Sequence, residues 1–235
     1  MQGQFNKINF DKLGNCLVIG GGGFLGAQIV KQLSTAGVFV RAFGRSEYPA
    51  LLSAGVPCIK GDICELPSLL DALTEVDTVF HTASLCHMWG KKTLLQKVNV
   101  EGSRNVLEAC LQKKVKRLVY TSSPSVVIGE ENIINGDESL PYPEKYNAEY
   151  PRTKSQAEQL LLKANGTKHH NSKTNILPCA IRPHLLWGPG DPHILPRIRK
   201  TAESGRLRQI GDGQNQITIT QVENAAHAHI LAALE

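Results

Sequence analysis

Residues 16–26 read Cys-Leu-Val-Ile-Gly-Gly-Gly-Gly-Phe-Leu-Gly, and the fold turns on them. Leu17, Val18 and Ile19 form a short apolar run without polar alternation, the pattern of a parallel strand buried on both faces. Gly20, Gly23 and Gly26 then recur at every third position, and Ala27–Leu33 continues with helical periodicity. Strand, glycines and helix in this order make a dinucleotide-binding turn. One glycine serves the tight turn, one the approach of a pyrophosphate, and one close packing of helix on strand. The free N–H groups where the helix begins, at Phe24 and Leu25, are expected to hold phosphate oxygens.

Working outward, Val38–Phe43 reads as a second apolar strand. An NAD-specific site places Asp or Glu at its end to bind the ribose 2′-hydroxyl, whereas Gly44, Arg45 and Ser46 stand here. Without a carboxylate to repel a 2′-phosphate, and with an arginine to pair with it, NADP(H) is preferred; NAD(H) stays open. Val56–Ile59 is a third strand closing on Gly61-Asp62-Ile63, where Asp62 either reaches the adenine or caps the next helix. Val76–His81 is a fourth, with His81 read as a hydrogen-bonded strand residue. The small Thr82, Ala83 and Ser84 after it leave room for a dinucleotide across the sheet edge. The loop from Leu85 to Lys92, with His87, Met88 and Trp89, is either a substrate-side loop or a hydrophobic contact.

Asn99 opens a long helix, and Val115–Tyr120 is a fifth strand running into Thr121-Ser122-Ser123-Pro124-Ser125. Residues 129–149 read as a polar loop, Tyr150 to Leu162 as a helix, and Leu177–Arg182 as a sixth strand ending in Arg182-Pro183. A helix over Leu195–Ser204, an extended stretch Ile217–Thr220 and a last helix from Val222 follow, with Glu235 falling in mid-helix. Six strand patterns alternating with helices predict an α/β fold with a doubly wound parallel sheet of Rossmann type. The expected organisation is a leader over 1–14, a dinucleotide-binding core over 15–183, and part of a small C-terminal substrate-binding subdomain over 184–235. That last part is interleaved with the final core elements.

Composition excludes several classes. The chain has 235 residues, 41% of them hydrophobic, and a net charge of +5, which indicates a globular domain and not a disordered one. Basic clusters at Lys113–Arg117 and Arg197–Arg208 carry no accompanying nucleic-acid motif, so they read as solvated faces. The six cysteines include no C-x-x-C pair and read as small buried hydrophobes in a reducing compartment. No metal site is expected. No run approaches a membrane span and no signal peptide is evident, so the cytoplasm is the expected location.

The chemistry-bearing set is Ser123, Tyr150 and Lys154. Tyr150 and Lys154, four apart, share one helix face. A phenol titrates near ~10 in water, so it needs tuning before it can exchange protons at neutral pH. A neighbouring ammonium stabilises the phenolate, and a serine hydroxyl can hold the substrate oxygen.

These pieces together resemble the extended short-chain dehydrogenase/reductase superfamily: Gly20–Gly26, Gly61-Asp62-Ile63, Asn99, Ser122-Ser123, Tyr150-x-x-x-Lys154 and Arg182-Pro183. Tyr120–Val126 and Arg182–Pro196 are similar to its 3β-hydroxysteroid dehydrogenase family, nearest the bacterial 2-alkyl-3-oxoalkanoate reductase branch. Gly44–Pro49 is similar to that NADP-using branch as well. Ile19 departs from the pattern, standing where the superfamily carries Thr before its glycines. The resemblance implies hydride transfer between nicotinamide and a secondary alcohol or ketone, with Tyr150 as acid/base. Lys154 would bind the nicotinamide ribose and tune Tyr150, and Ser123, favoured over Ser122 and Ser125, would polarise the carbonyl. Asn99 would support Lys154 through water, and Arg182 and Pro183 would lie at the cofactor. It also implies that related proteins continue past Glu235. Three readings follow: a reductase of a hydrophobic β-keto acid or similar ketone, a 3β-hydroxysteroid dehydrogenase/isomerase proper, and a non-catalytic NADP(H)-binding module. A homodimer is compatible with each.

Overall fold

A computed structural model describes residues 9–86, 91–129, 133–192, 194–209 and 211–235. His87, Met88, Trp89 and Gly90 of the expected substrate-side loop lie outside the described residues, as does most of the leader. Six strands form one parallel sheet: β1 (Cys16–Ile19), β2 (Val40–Gly44), β3 (Cys58–Lys60), β4 (Thr78–His81), β5 (Arg117–Thr121) and β6 (Leu177–Ile181). Their spatial order is β3-β2-β1-β4-β5-β6. The order reverses between β1 and β4, and a ligand crevice opens beyond the carboxyl ends of strands at such a reversal.

Alternation along each strand splits the core into two layers. Leu17, Ile19, Phe43, Val79, Leu118 and Tyr120 face one side, against helices α3 (Leu66–Ala72), α5 (Gly102–Lys113) and α6 (Glu149–Leu162). Cys16, Val18, Ala42, Phe80 and Val119 face the other, against α1 (Phe24–Thr35) and α8 (Val222–Ala232). The remaining helices are α2 (Pro49–Ser53), α4 (Lys92–Leu95) and α7 (Ile194–Glu203), and a second small sheet pairs β7 (Leu185–Trp187) with β8 (Ile219–Gln221).

All six expected strands are present, with starts shifted by up to two residues because ladder pairing, not hydrophobicity, sets them. The helix expected from Asn99 begins earlier. It runs from Lys92 through a π-helical stretch, Gln96–Glu101, into α5. Its start has no side-chain cap bond, so the usual N-terminal marker is missing from the sequence. Residues 10–13, placed in the leader, form a 3₁₀ turn whose Leu13 is fully buried and whose carbonyl accepts the Thr78 hydroxyl at 2.7 Å. The final helix closes at Ala232 and so does not run to Glu235. It packs on α1 within the core, while no described residue of α7 is buried.

Candidate active site

Gly20 and Gly26 each have a structural reason to be glycine. Gly20 has φ +86°, a left-handed turn that side chains resist. A Cβ on Gly26 would overlap the Gly20 carbonyl, so this glycine lets α1 sit against the strand end. Gly23 has φ −78°, open to any residue, and a Cβ there would meet only the Gly20 oxygen at 3.2 Å. Its glycine is therefore not required by backbone conformation, though a Cβ there would press on that backbone oxygen. Since α1 begins at Phe24, its first N–H groups lack intrahelical acceptors and are free to bind an anion.

A cavity of about 260 Å³ opens over this loop. Gly20, Gly23, Phe24, Leu25, Gly26, Arg45, Asp62, Ile63, Thr82, Ala83 and Ser84 line it, as expected from sequence. Tyr48, Phe43, Leu85 and Val98 line it too and were not anticipated. Tyr48 lies over Gly22 and Gly44, at either of which a Cβ would strike its side chain. Past the end of β4 the Thr82 hydroxyl donates to the Ile19 carbonyl at 2.9 Å. Asp62 does not cap α3. Its carboxylate accepts from the Cys64 N–H at 2.9 Å, and the helix N-cap is Glu65, three residues on. Ser46 is exposed beside Arg45 and does not line the cavity.

The second half of the site belongs to α6 and the end of β5. Ser123 pulls the Tyr150 pKa down against the effect of burial, and its Oγ lies 2.9 Å from the Ser125 hydroxyl. Ser122 instead turns inward, buried, towards Glu158. Burial dominates Tyr150 and raises its pKa above the ordinary phenol range, and Cys86 adds to the rise with its Sγ 3.9 Å from the hydroxyl. Tyr150 is therefore a protonated phenol at neutral pH.

Lys154 is buried, and its Nζ donates to the Thr121 carbonyl at 2.5 Å while lying 4.0 Å from the centre of the Tyr120 ring. Burial brings its pKa down to about 8, against the opposing pull of Cys86 and Glu158. It remains cationic at neutral pH. In this cofactor-free protein the ammonium is bonded to the Thr121 carbonyl and faces the Tyr120 ring, while burial, Cys86 and Ser123 set the Tyr150 shift. Asn99 makes direct contacts of its own. Its side chain clamps the Leu85 backbone (Oδ1 accepts at 2.8 Å, Nδ2 donates at 3.2 Å) and donates to the Thr153 hydroxyl at 3.1 Å. It thus ties the strand-end loop to α6 and does not contact Lys154. His81 behaves as a bonded strand residue, with Nε2 3.0 Å from the Ser103 hydroxyl.

Arg182 sits away from the glycine cavity, as does Pro183. Its guanidinium is held by Glu158, whose carboxylate is fully buried, at 2.5 Å through one terminal nitrogen and 3.1 Å through Nε. The Tyr142 hydroxyl donates to the same carboxylate at 2.7 Å. The charge of Arg182 is thereby spent inside the protein, pinning the loop before α6 and the end of β6 to one helix. Glu158 follows Lys154 by one helical turn, a spacing that could have marked it from sequence.

A double-layered parallel sheet with a glycine turn at its reversal point and a Ser-Tyr-Lys set at the same edge narrows the relatives sharply. The sequence profile of the 3-beta hydroxysteroid dehydrogenase/isomerase family matches residues 17–235. The chain belongs to that family. It is 38% identical over 224 residues to 2-alkyl-3-oxoalkanoate reductase from Shewanella oneidensis, covering 95% of this chain and 58% of that protein. It is 39% identical over 231 residues to human sterol-4-alpha-carboxylate 3-dehydrogenase, decarboxylating, covering 98% of this chain and 60% of that one. Among solved structures, MoeE5 in complex with UDP-glucose and NAD superposes with a TM-score of 0.78 at 30% identity, over 94% of this chain and 72% of the other. The family member described here spans about three-fifths of the length of the curated relatives it matches.

Proposed function

We propose that this chain is an extended short-chain dehydrogenase/reductase that transfers hydride between NADP(H) and a ketone or secondary alcohol on a hydrophobic substrate, with β-keto acids the first class. The observation that carries the reading is the placement of the Tyr150 hydroxyl on α6 beside Cys86, with Lys154 one turn along and bonded to the end of β5, at the sheet edge that opens the glycine cavity. The cavity fits a dinucleotide: Gly23 lines it without a side chain, the α1 N–H groups are free, and Arg45 stands where an NAD-specific carboxylate would be.

When bound, the nicotinamide supplies or accepts the hydride. In the reducing direction Tyr150, protonated in the free protein, gives its proton to the carbonyl oxygen while Ser123 donates a hydrogen bond to it. The phenolate left behind is met by the Lys154 cation on the same helix, which also holds the nicotinamide ribose. Arg182 and Pro183 close the end of β6 on the cofactor side, with Arg182 fixed there by Glu158. Six unpaired cysteines favour a reducing compartment, and the reading places the chain in the cytoplasm. No helix of the described residues is long and apolar enough to cross a membrane. A homodimer is compatible with this reading.

A steroid substrate is the second reading, favoured by the human sterol dehydrogenase at essentially the same identity. The deciding experiment follows NADPH and NADH oxidation with long-chain β-keto acids and with 3-keto steroids. Turnover confined to the β-keto acids supports the first reading, and turnover confined to steroids the second. Tight NADPH binding with no turnover of either class would overturn both in favour of a binding module.

A further inference from the structure

His229 lies on α8, in the helical layer opposite α6, and is fully buried. Its Nδ1 is 2.7 Å from the Ala225 carbonyl one turn back. A carbonyl only accepts, so Nδ1 carries the hydrogen, and in the neutral ring Nε2 is then an acceptor. The Thr121 hydroxyl, 2.8 Å away, donates to it. Burial pulls the ring's pKa down to about 4, so this neutral tautomer persists at physiological pH.

Thr121 is the last residue of β5, one place beyond the final β4–β5 pair of His81 with Tyr120. Its side chain turns to the α8 layer, as that of Val119 does two residues earlier. Its carbonyl receives Lys154 Nζ from α6, on the other face of the sheet. One residue therefore joins a helix on each side. α8 is in turn fastened to the helix that opens at the glycine loop, since Gln32 Nε2 on α1 donates to the Glu223 carbonyl at 2.8 Å.

We propose that His229 is a positioning residue for Lys154: by holding the Thr121 hydroxyl across the sheet, it fixes the peptide whose carbonyl anchors the ammonium. The proposal rests on the reading of Lys154 as the cation that holds the cofactor. The Tyr120 ring attracts the ammonium from one direction only, and the carbonyl sets where along that face it stops. On the β6 side the same peptide is held by the Thr121–Ile181 pair and by the Ser122 N–H donating to the Ile181 carbonyl at 2.7 Å, but on the β4 side the ladder has already stopped, and there the bond to α8 selects the Thr121 rotamer.

The test compares His229→Leu, His229→Gln, Thr121→Val and the double variant, with Lys154→Met alongside. NADPH affinity is read by titrating cofactor fluorescence, and melting temperature is measured on the same samples. His229→Leu and Thr121→Val should each weaken NADPH by roughly 3- to 10-fold, the worth of one net hydrogen bond. The double variant should lose no more than either single one, because both break the same link. His229→Gln, whose amide oxygen can accept from Thr121, should restore most of the affinity. Nitrogen chemical shifts of His229 should report a protonated Nδ1 and a bare Nε2, changed by Thr121→Val. A fall in melting temperature with NADPH affinity intact in both single variants would overturn the positioning role, as would the opposite tautomer. Unchanged affinity in Lys154→Met would instead overturn the reading of Lys154 itself. Thr121→Val is nearly isosteric and carries the test if His229→Leu does not fold.

Discussion

At the glycine loop the groups that face the cavity are mostly backbone: the turn at Gly20, Gly23 with no side chain, and the first N–H groups of α1. Fifteen-odd residues of sequence suffice to build them. At the end of β5 and along α6 the site is made of side chains, several of them charged and buried, each held by a partner from a distant segment. Lys154 leans on Thr121, Glu158 on Arg182 and Tyr142, and Tyr150 on Cys86. The backbone half tolerates change unless a Cβ collides. The side-chain half fails when any partner leaves, because a buried charge without its partner is costly.

The largest effect belongs to the side-chain half. Tyr150→Phe removes one hydroxyl and leaves the glycine cavity untouched, so NADPH affinity and melting temperature should stay near those of the parent. Turnover should nevertheless drop by ~10²–10⁴-fold, the usual worth of a positioned acid/base group. Near-normal turnover would reduce the Ser123–Tyr150 pair to ordinary packing. Steady-state rates with the best ketone from the panel decide it.

Next comes Arg182→Leu. It strands the fully buried carboxylate of Glu158, and the expected loss is ~3–5 kcal/mol of stability by denaturant unfolding. The pH dependence should change sign. In the parent, burial pushes Glu158 up, but the bonds from Arg182 and Tyr142 outweigh it and hold the carboxyl below its ordinary value. A group depressed in the folded state contributes stability above its unfolded pKa and loses it as pH falls through the folded one. The parent should therefore lose stability below the ordinary glutamate range. Without Arg182 burial wins, the folded pKa rises above the unfolded one, and acidification from neutral pH should narrow the gap between variant and parent. A penalty constant with pH would mean that Glu158 is not the source of the loss.

Two glycines sharpen the contrast from the backbone side. Gly26→Ala puts a methyl onto the Gly20 carbonyl and should cost ~1–3 kcal/mol of stability, the usual price of overpacking. Gly23→Ala meets only one oxygen at 3.2 Å, from a φ any residue adopts, and should unfold near the parent's midpoint while binding NADPH more weakly. If both variants behave alike in both assays, the assignment of separate roles to the two glycines is wrong.

The same contrast explains what could be read from sequence. The strands, their parallel arrangement and eleven of the cavity residues follow from local patterns: apolar runs, glycine spacing and small residues after β4. Arg182 and Asn99 have partners that the sequence does not announce, Glu158 in one case and Leu85 with Thr153 in the other, 14 to 54 residues away. Nothing in a linear pattern states such a pairing. Asp62 was ambiguous for the reverse reason. Its bond to Cys64 is local, but so is the cap it resembles, and only the start of α3 at Leu66 separates them. Cys86 and His229 carried no motif at all. The start of the helix at Lys92 lacked a cap, and the π-helical stretch that carries Asn99 has no compositional mark.

The smallest effect expected is at Arg45, where the two halves differ least. It lines the cavity just past the end of β2, next to Gly44 and with no carboxylate at that strand end. A 2′-phosphate placed there would gain a charge-assisted bond from the guanidinium, and a 2′-hydroxyl would gain nothing comparable. Yet Arg45 is exposed, unlike Lys154 and Arg182, so water and salt compete for it. The loss on Arg45→Ala should therefore be about 1 kcal/mol in NADPH affinity, roughly 5-fold, with NADH nearly unchanged. Raising the ionic strength should shrink the difference between parent and variant, since an exposed pair is screened and a buried one is not. Equal losses for the two cofactors would remove Arg45 from the 2′-phosphate. A loss that is large and indifferent to salt would place it in the buried class with Arg182, and the division between a backbone-built and a charge-built half would no longer hold.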